Sequence, residues 1–234
     1  MGERLAERKA TLAAHPFLAW LASPTADPVA RLRAFVPLWI PDIMGYADLM
    51  TYALADPAPR SAAERALNRH AARLACHHRL FLVDAATLDL DGALGWSAGE
   101  TLRFLGHSPA TELQRGSAAA FADIAFRHRS PVTRYWLLEA LQASGEAFFQ
   151  HGSVLARAVE RRLGRPLHYL ADRHRLAHPA LEPDPAADAV RLAQLPATAS
   201  EQRVALEGID TVFDRLTAQM DQSLREVDVT RTAS

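Results

Sequence analysis

Three histidines and an aspartate lie in one helix-forming stretch, LNRHAARLACHHRLFLVD, which covers residues 67–84. Imidazole and carboxylate groups are common ligands of transition metals, and imidazoles also transfer protons near neutral pH. A step of seven residues returns to nearly the same face of an α-helix, so His70, His77 and Asp84 would share one face, with His78 about 100° away. The spacing predicts one wall of a polar pocket.

A purely structural role for each of these groups is the alternative. His70 would then lie near the start of the helix, His77 or His78 would bond to a backbone carbonyl at the edge of the core, and Asp84 would pair with an arginine. Large apolar residues between the polar ones exclude a wholly solvated face, and they fit either alternative.

A second candidate is Glu139, in the segment TRYWLLEALQASGEAFF. It lies in the most apolar part of a helix predicted to be buried. Burying an unpaired carboxylate costs on the order of several kcal/mol, so Glu139 should have a cation, a proton or a metal as partner. Gln142 and Glu146 continue the same face, and an arginine partner for Glu139 is the structural alternative.

The third candidate is a pair of histidines in HYLADRHRLAHPALEP. His174 and His178 are four residues apart, the spacing at which two imidazoles on one helical face can hold one divalent metal. Pro179 disfavours helical geometry at His178. The alternative places His178 at a helix C-terminus, where an imidazole satisfies backbone carbonyls and the helix dipole.

Helix-forming patterns run through almost the whole chain, and no segment predicts a convincing strand. Apolar residues at steps of three and four predict a kinked, buried helix that contains Pro37 and Pro41. Ser61 and Glu64 form a capping-box pattern for a helix predicted to end near Leu88. Later helices are predicted at residues 97–105, 108–127, 130–164, 167–177 and 200–226, and the tail 227–234 is predicted to fray.

About seven such helices predict an all-α fold, a single helical-bundle domain over residues 1–226. The chain has 234 residues, 49% of them hydrophobic, which is enough for one sizeable core. In helical bundles, ligand and metal sites are formed by side chains that project inward from facing helices.

Composition excludes several classes of partner. Lys and Arg total 26 against 27 Asp and Glu, so no net field would attract nucleic acid or an anionic membrane. The charges in the N-terminal segment MGERLAERK predict neither a signal peptide nor an anchor, and no stretch reaches the roughly 20 apolar residues that span a bilayer. The single cysteine, Cys76, excludes an internal disulfide framework and fits a reducing cytoplasm. The expected partner is a small-molecule substrate, and a homodimer is a candidate oligomeric state.

Taken in order, these stretches resemble the haem-oxygenase-like di-iron oxidase and oxygenase family. The resemblance covers most of the chain, through HPFLAWL, FVPLWIPDIMGYADL, HHRLFLVDAATLDLDG, YWLLEALQASGEAFF and LHYLADRH. It implies a haem-oxygenase-like helical bundle. The family holds iron with Glu-x-x-His on one helix, a glutamate on a middle helix and His-x-x-x-Asp/Glu-x-x-His on a late helix.

The ligand set that the resemblance implies is incomplete in this chain. His77, Glu139 and His174 match family positions, but Leu74 stands where the first motif has glutamate, and His178 occupies the late carboxylate position. One carboxylate does not balance the charge of two irons in a buried site, which argues against a stable di-iron centre.

The first hypothesis is therefore an enzyme that carries out an oxidative step on a small organic molecule with one iron. His77, Glu139 and His174 would hold the iron and leave open positions for dioxygen and substrate, and His178 would be a fourth ligand or a proton carrier. The residues expected just outside this ligand set are His70, Asp84 and Gln142.

Two alternatives stay open. The fold also resembles that of thiaminase-like hydrolases and the cofactor-independent pyrroloquinoline quinone synthase, which implies a metal-free enzyme with His178 and Glu139 as acid–base groups. Cys76 would be a nucleophile by analogy with thiaminases, but its surroundings do not match their motif. The other alternative is a non-catalytic homologue with a degenerate site that binds a small molecule or a partner chain.

Overall fold

The computed structural model describes residues 1–173 and 185–232, and within these ranges every regular element is a helix and no strand forms. The all-α prediction is confirmed. In chain order the elements are α1 (Gly2–Ala13), α2 (Pro16–Ala22), α3 (Pro28–Asp48), a π-helix (Leu49–Leu54), α4 (Ala62–Ala75), α5 (His77–Thr87), α6 (Leu90–Leu94), α7 (Ala98–His107), a 3₁₀-helix (Pro109–Thr111), α8 (Glu112–Arg127), α9 (Pro131–Leu163), α10 (Pro185–Ala193) and α11 (Ala199–Thr232). His174 and His178 lie outside the described residues.

Helix α9 is the centre of the bundle. The Ser130 side chain accepts from the backbone N–H of Val132, and Pro131 occupies the first turn, where no N–H is needed. The helix ends at Gly164, whose φ of 65° is the left-handed conformation that glycine adopts without strain. Both predicted ends are confirmed. α1, α2, α3 and α11 pack against α9 and enclose the apolar core.

Helix α3 passes through both of its prolines and continues directly into the π-helix. Its first turn is capped by the side chain of Asp27, which accepts from the backbone N–H of Ala30. π-helical turns are rare and occur frequently at functional sites. This one carries Met50, which lines the cavity described below.

The capping box predicted at the start of α4 is confirmed. The Ser61 hydroxyl accepts from the backbone N–H of Glu64, and the Glu64 carboxylate accepts from the backbone N–H of Ser61. Such caps contribute about 1 kcal/mol.

The prediction of one continuous helix from Ser61 to about Leu88 is wrong, because the helix is divided at Cys76. Next to the division, His78 Nδ1 donates to the backbone oxygen of Ala75 at 2.8 Å. A side chain that bonds to a helix carbonyl competes with the backbone ladder and breaks its regularity.

The helix predicted from Leu167 is also absent from the described part of that segment, where residues 167–173 form turns. The fully buried carboxylate of Asp84 accepts from the backbone N–H groups of His168, Tyr169 and Leu170 at 2.6, 2.9 and 2.8 Å. These bonds hold the turn against α5.

Helix α11 continues to Thr232, past the point where the tail was predicted to fray. Val227, in this extension, is 2% exposed and belongs to the core. In the part of the chain that the structure describes, no helix is both long and apolar enough to cross a lipid bilayer.

Candidate functional site

A cavity of about 330 Å³ lies between α3, the π-helix, α4, α5, α9 and the turn at 167–173. Its polar lining consists of Tyr46, Arg73, His77, His78, Gln142, Glu146 and Tyr169. Its other lining residues are Ile43, Ala47, Met50, Leu74, Leu141, Gly145 and Phe149. Polar groups set among apolar ones are typical of small-molecule sites.

Helix α9 supplies the longest wall of the cavity because steps of three and four return to one helical face. Leu141, Gln142, Gly145, Glu146 and Phe149 all lie on that wall. Glycine leaves the middle of this face open, since a Cβ added at Gly145 would meet no atom within 4 Å.

Helix α1 contacts the α9 wall of the cavity through an ion pair. The Glu146 carboxylate on α9 pairs with Lys9 Nζ on α1 at 2.5 Å. Arg4 and Arg8, also on α1, pair with Asp210 and Asp214 on α11. These ion pairs tie α1 to the two longest helices.

His70 lies behind the cavity wall and is 4% exposed. Its Nε2 is 3.0 Å from Gln142 Oε1, so Nε2 carries the proton and Nδ1 is left as an acceptor toward Arg73 Nη2 at 3.4 Å. Burial, followed by the charge of Arg73, lowers the pKa of His70 to about 4. His70 is therefore a neutral imidazole at neutral pH, in one defined tautomer.

The Glu139 carboxyl is next to His70, but the two groups form no ion pair at neutral pH because His70 is uncharged. Glu139 Oε1 is 3.6 Å from His70 Nε2, too long for a hydrogen bond, and this buried oxygen has no hydrogen-bond partner. Burial, then the charge of Glu146, raises the pKa of Glu139 to about 7, and Arg73 partly opposes the rise. A carboxyl with this pKa can give or take a proton at neutral pH.

The structure brings together one part of the predicted site. His77 and Gln142 line the cavity, and His70 and Glu139 form a cluster behind Gln142. Leu74, at the position where the family resemblance implies a glutamate, also lines the cavity.

The other predicted residues are placed elsewhere. Asp84 is absent from the described lining, and its carboxylate accepts hydrogen bonds from the backbone of the turn at 168–170. The exposed Cys76 lies on a separate surface groove, which shares Ala47 and His78 with the cavity. Within residues 1–173 and 185–232, no three His, Cys, Asp or Glu side chains are arranged so that they could hold a metal ion. The ligand positions proposed for His174 and His178 fall outside these ranges.

Sequence reasoning missed Asp42, which is 1% exposed in α3. The signal was present, because Asp42 stands in the apolar run FVPLWIPDIM and meets the criterion that singled out Glu139. Tyr169 was missed as a lining residue because aromatic residues usually belong to a core.

The fold and the site together define an all-α protein with a mixed polar and apolar cavity in its helical bundle. Compared with known proteins, the sequence matches no protein-family model and no curated protein.

Proposed function

We propose that the chain is an enzyme that binds a small, partly apolar organic molecule in the 330 Å³ cavity and transfers protons with the surrounding side chains. The observation that carries this proposal is the combination of His77, His78, Arg73 and Glu146 with apolar groups in the lining of one cavity. The apolar groups would hold the carbon skeleton, and the polar groups would orient it and exchange protons.

Two groups are the candidates for proton transfer. His78 donates through Nδ1 to Ala75, so Nε2 is the ring nitrogen left to exchange a proton with a bound molecule. Glu139 titrates near neutral pH and contacts His70, which bonds to Gln142 on the cavity wall. Arg73 would stabilise negative charge that develops on the bound molecule.

A second candidate follows from the family resemblance: an oxidative step at one iron in a haem-oxygenase-like bundle. His77 and Glu139 occupy matched positions, and Glu139 Oε1 is a buried oxygen without a partner. The described residues do not form a three-donor set, so this candidate depends on His174. Bound iron would supply the redox chemistry with dioxygen.

Iron binding separates the two candidates. Anaerobic titration with ferrous iron, followed by dialysis and metal analysis, should leave about one equivalent per chain if the second candidate holds. The variant His174→Ala, in which Gln142 and His70 are left as they are, should then abolish the retention of iron. If the dialysed protein retains only trace iron, the iron-dependent candidate is rejected and the acid–base proposal stands.

Gly145→Leu tests whether the cavity is the binding site. The new side chain has open space at its Cβ and would fill the cavity, so binding of small molecules should be lost. Replacing a helical glycine with leucine also stabilises a helix by about 0.5–1 kcal/mol, so the variant should melt no lower than the parent protein. The measurement is saturation-transfer NMR with a panel of small aromatic and aliphatic acids, amines and alcohols.

Gly99→Leu is the matched control, because Gly99 is a helical glycine with open space that lies outside the cavity. Compounds that bind equally well to Gly145→Leu and Gly99→Leu would place binding elsewhere and reject the proposal. Bound compounds are then incubated with the protein and followed by mass spectrometry. Binding without conversion of any compound would favour the non-catalytic alternative.

A further inference from the structure

A smaller chamber of about 50 Å³ adjoins the cavity on its inner side. The two spaces share the lining residues Ile43, Tyr46, Gly145, Phe149 and Tyr169. The chamber is large enough for a small polar group, since roughly 10–15 Å³ of such space holds a water molecule. A molecule in the cavity could therefore extend one end into the chamber.

Aromatic residues form a large part of the chamber lining. Six ring-bearing residues line it: Phe35, Trp39, Tyr46, Phe148, Phe149 and Tyr169. Trp39 and Phe148 are stacked with centroids 5.2 Å apart, and Phe35 meets Phe148 edge-on at 6.3 Å. Aromatic faces carry negative electrostatic potential and attract organic cations.

Asp42 is the only carboxylic acid among the described residues that line the chamber. Its Oδ1 accepts from Gln219 Nε2 at 3.3 Å, whereas its Oδ2 is buried and has no hydrogen-bond partner. Burial raises the pKa of Asp42 well above the usual range of a carboxyl. Two other polar groups of the chamber lining bond elsewhere, because Trp39 Nε1 donates to Ser223 and the Ser144 hydroxyl donates to the Leu141 carbonyl.

We propose that the chamber is a subsite for the protonated amine end of the molecule held in the cavity, with Asp42 as its counter-ion. The N–H groups of an ammonium would donate to Oδ2, and the aromatic walls would stabilise its charge. An ammonium beside the carboxylate would also offset the cost of ionising a buried acid. This inference rests on the proposed function, since it requires that the cavity bind a small molecule.

The test compares 2-phenylethylamine with 2-phenylethanol, two compounds of similar size and shape that differ in charge. Titration calorimetry should give roughly tenfold or tighter binding of the amine to the parent protein, the range expected for a charge-assisted hydrogen bond. Asp42→Asn should remove this preference and leave the affinity for the alcohol within about twofold. Asp48→Asn is the matched control, because Asp48 is exposed on the same helix, and it should keep the full preference.

Phe148→Leu is the second variant, and it replaces Asp42→Asn in the test if circular dichroism shows that Asp42→Asn does not fold. It removes one aromatic wall without changing any charge, so it should lower the affinity for the amine several-fold more than that for the alcohol. Full preference for the amine in Asp42→Asn or, where that variant does not fold, in Phe148→Leu would overturn the subsite.

The outcomes also separate this inference from the proposed function. Equal binding of amine and alcohol to the parent protein, with both lost in Gly145→Leu, rejects the amine subsite and retains the cavity. Amine preference that is lost in Glu146→Gln but kept in Asp42→Asn places the ammonium in the outer cavity and rejects the inference. No binding of either compound counts against both.

Discussion

Asp84→Ala lowers the free energy of unfolding by about 3–5 kcal/mol, because one buried carboxylate satisfies three backbone N–H groups. Alanine leaves three buried donors without an acceptor, and each such donor costs about 1–3 kcal/mol unless water reaches it. In a chain of this size 1 kcal/mol corresponds to about 2–4 °C, so the melting temperature should fall by about 10 °C. Urea denaturation followed by circular dichroism measures the change.

Asp91→Ala is the control, since Asp91 is an exposed aspartate on the neighbouring α6, and it should change stability by about 0.5 kcal/mol or less. Asp84→Asn should lie between the two, because the amide oxygen can still accept but the amide nitrogen faces donors. Amide hydrogen exchange at residues 168–170 gives an independent readout and should accelerate in Asp84→Ala. If Asp84→Ala is as stable as Asp91→Ala, the three bonds do not hold the turn.

The role of Asp84 connects stability with the site. Tyr169 donates its backbone N–H to Asp84, and its side chain lines both the cavity and the inner chamber. Disorder in this turn would therefore remove one wall of the binding site. The residue that the sequence placed near a metal instead fixes the position of a lining residue from behind.

Sequence reasoning worked best where the cause of a structure is local. The start of α4 at Ser61 and the limits of α9 at Ser130 and Gly164 depend on residues within one turn of each boundary. The turn at 167–173 could not be found in this way, because its backbone donors bond to Asp84, more than 80 residues earlier in the chain. Its sequence alone is compatible with a helix.

In the candidate site, too, features with a local cause could be predicted, whereas features that depend on distant residues could not. Glu139 could be found because a carboxylate in an apolar helix needs an explanation, and the same criterion applies to Asp42. The bond between His70 and Gln142 joins α4 to α9 and depends on how two distant helices pack. No spacing within either helix contains that information, so the cluster of His70, Gln142 and Glu139 required the structure.

Glu139→Gln should stabilise the protein more at pH 8 than at pH 5. Burial and the charge of Glu146 raise the pKa of folded Glu139 to about 7 from its usual value of 4.5, so the folded state binds a proton that the unfolded state releases. Stability from this group is complete at low pH and is lost as the pH rises from about 4.5 through about 7. Because the side chain is 21% exposed, we expect a loss of about 2–3 kcal/mol, slightly discounted for solvent screening.

His70 makes this comparison necessary, because its effect has the opposite sign. Its pKa is lowered to about 4 from its usual value of 6.5, so the unfolded state binds the extra proton and stability rises with pH between these values. The two effects partly cancel in the parent protein. The difference between parent and Glu139→Gln, measured by urea denaturation at pH 5 and at pH 8, isolates Glu139.

The free energy of unfolding of the variant, relative to that of the parent, should rise by about 2–3 kcal/mol from pH 5 to pH 8. Glu3→Gln, at an exposed position of α1, should change this difference by about 0.5 kcal/mol or less. A gain that is the same at both pH values would show that Glu139 is ionised throughout this range, and Glu139 would then be unsuited to proton transfer at neutral pH. A gain confined to high pH would show that the Glu139 carboxyl, behind the cavity wall, is half-protonated near pH 7, as acid–base catalysis at that pH requires.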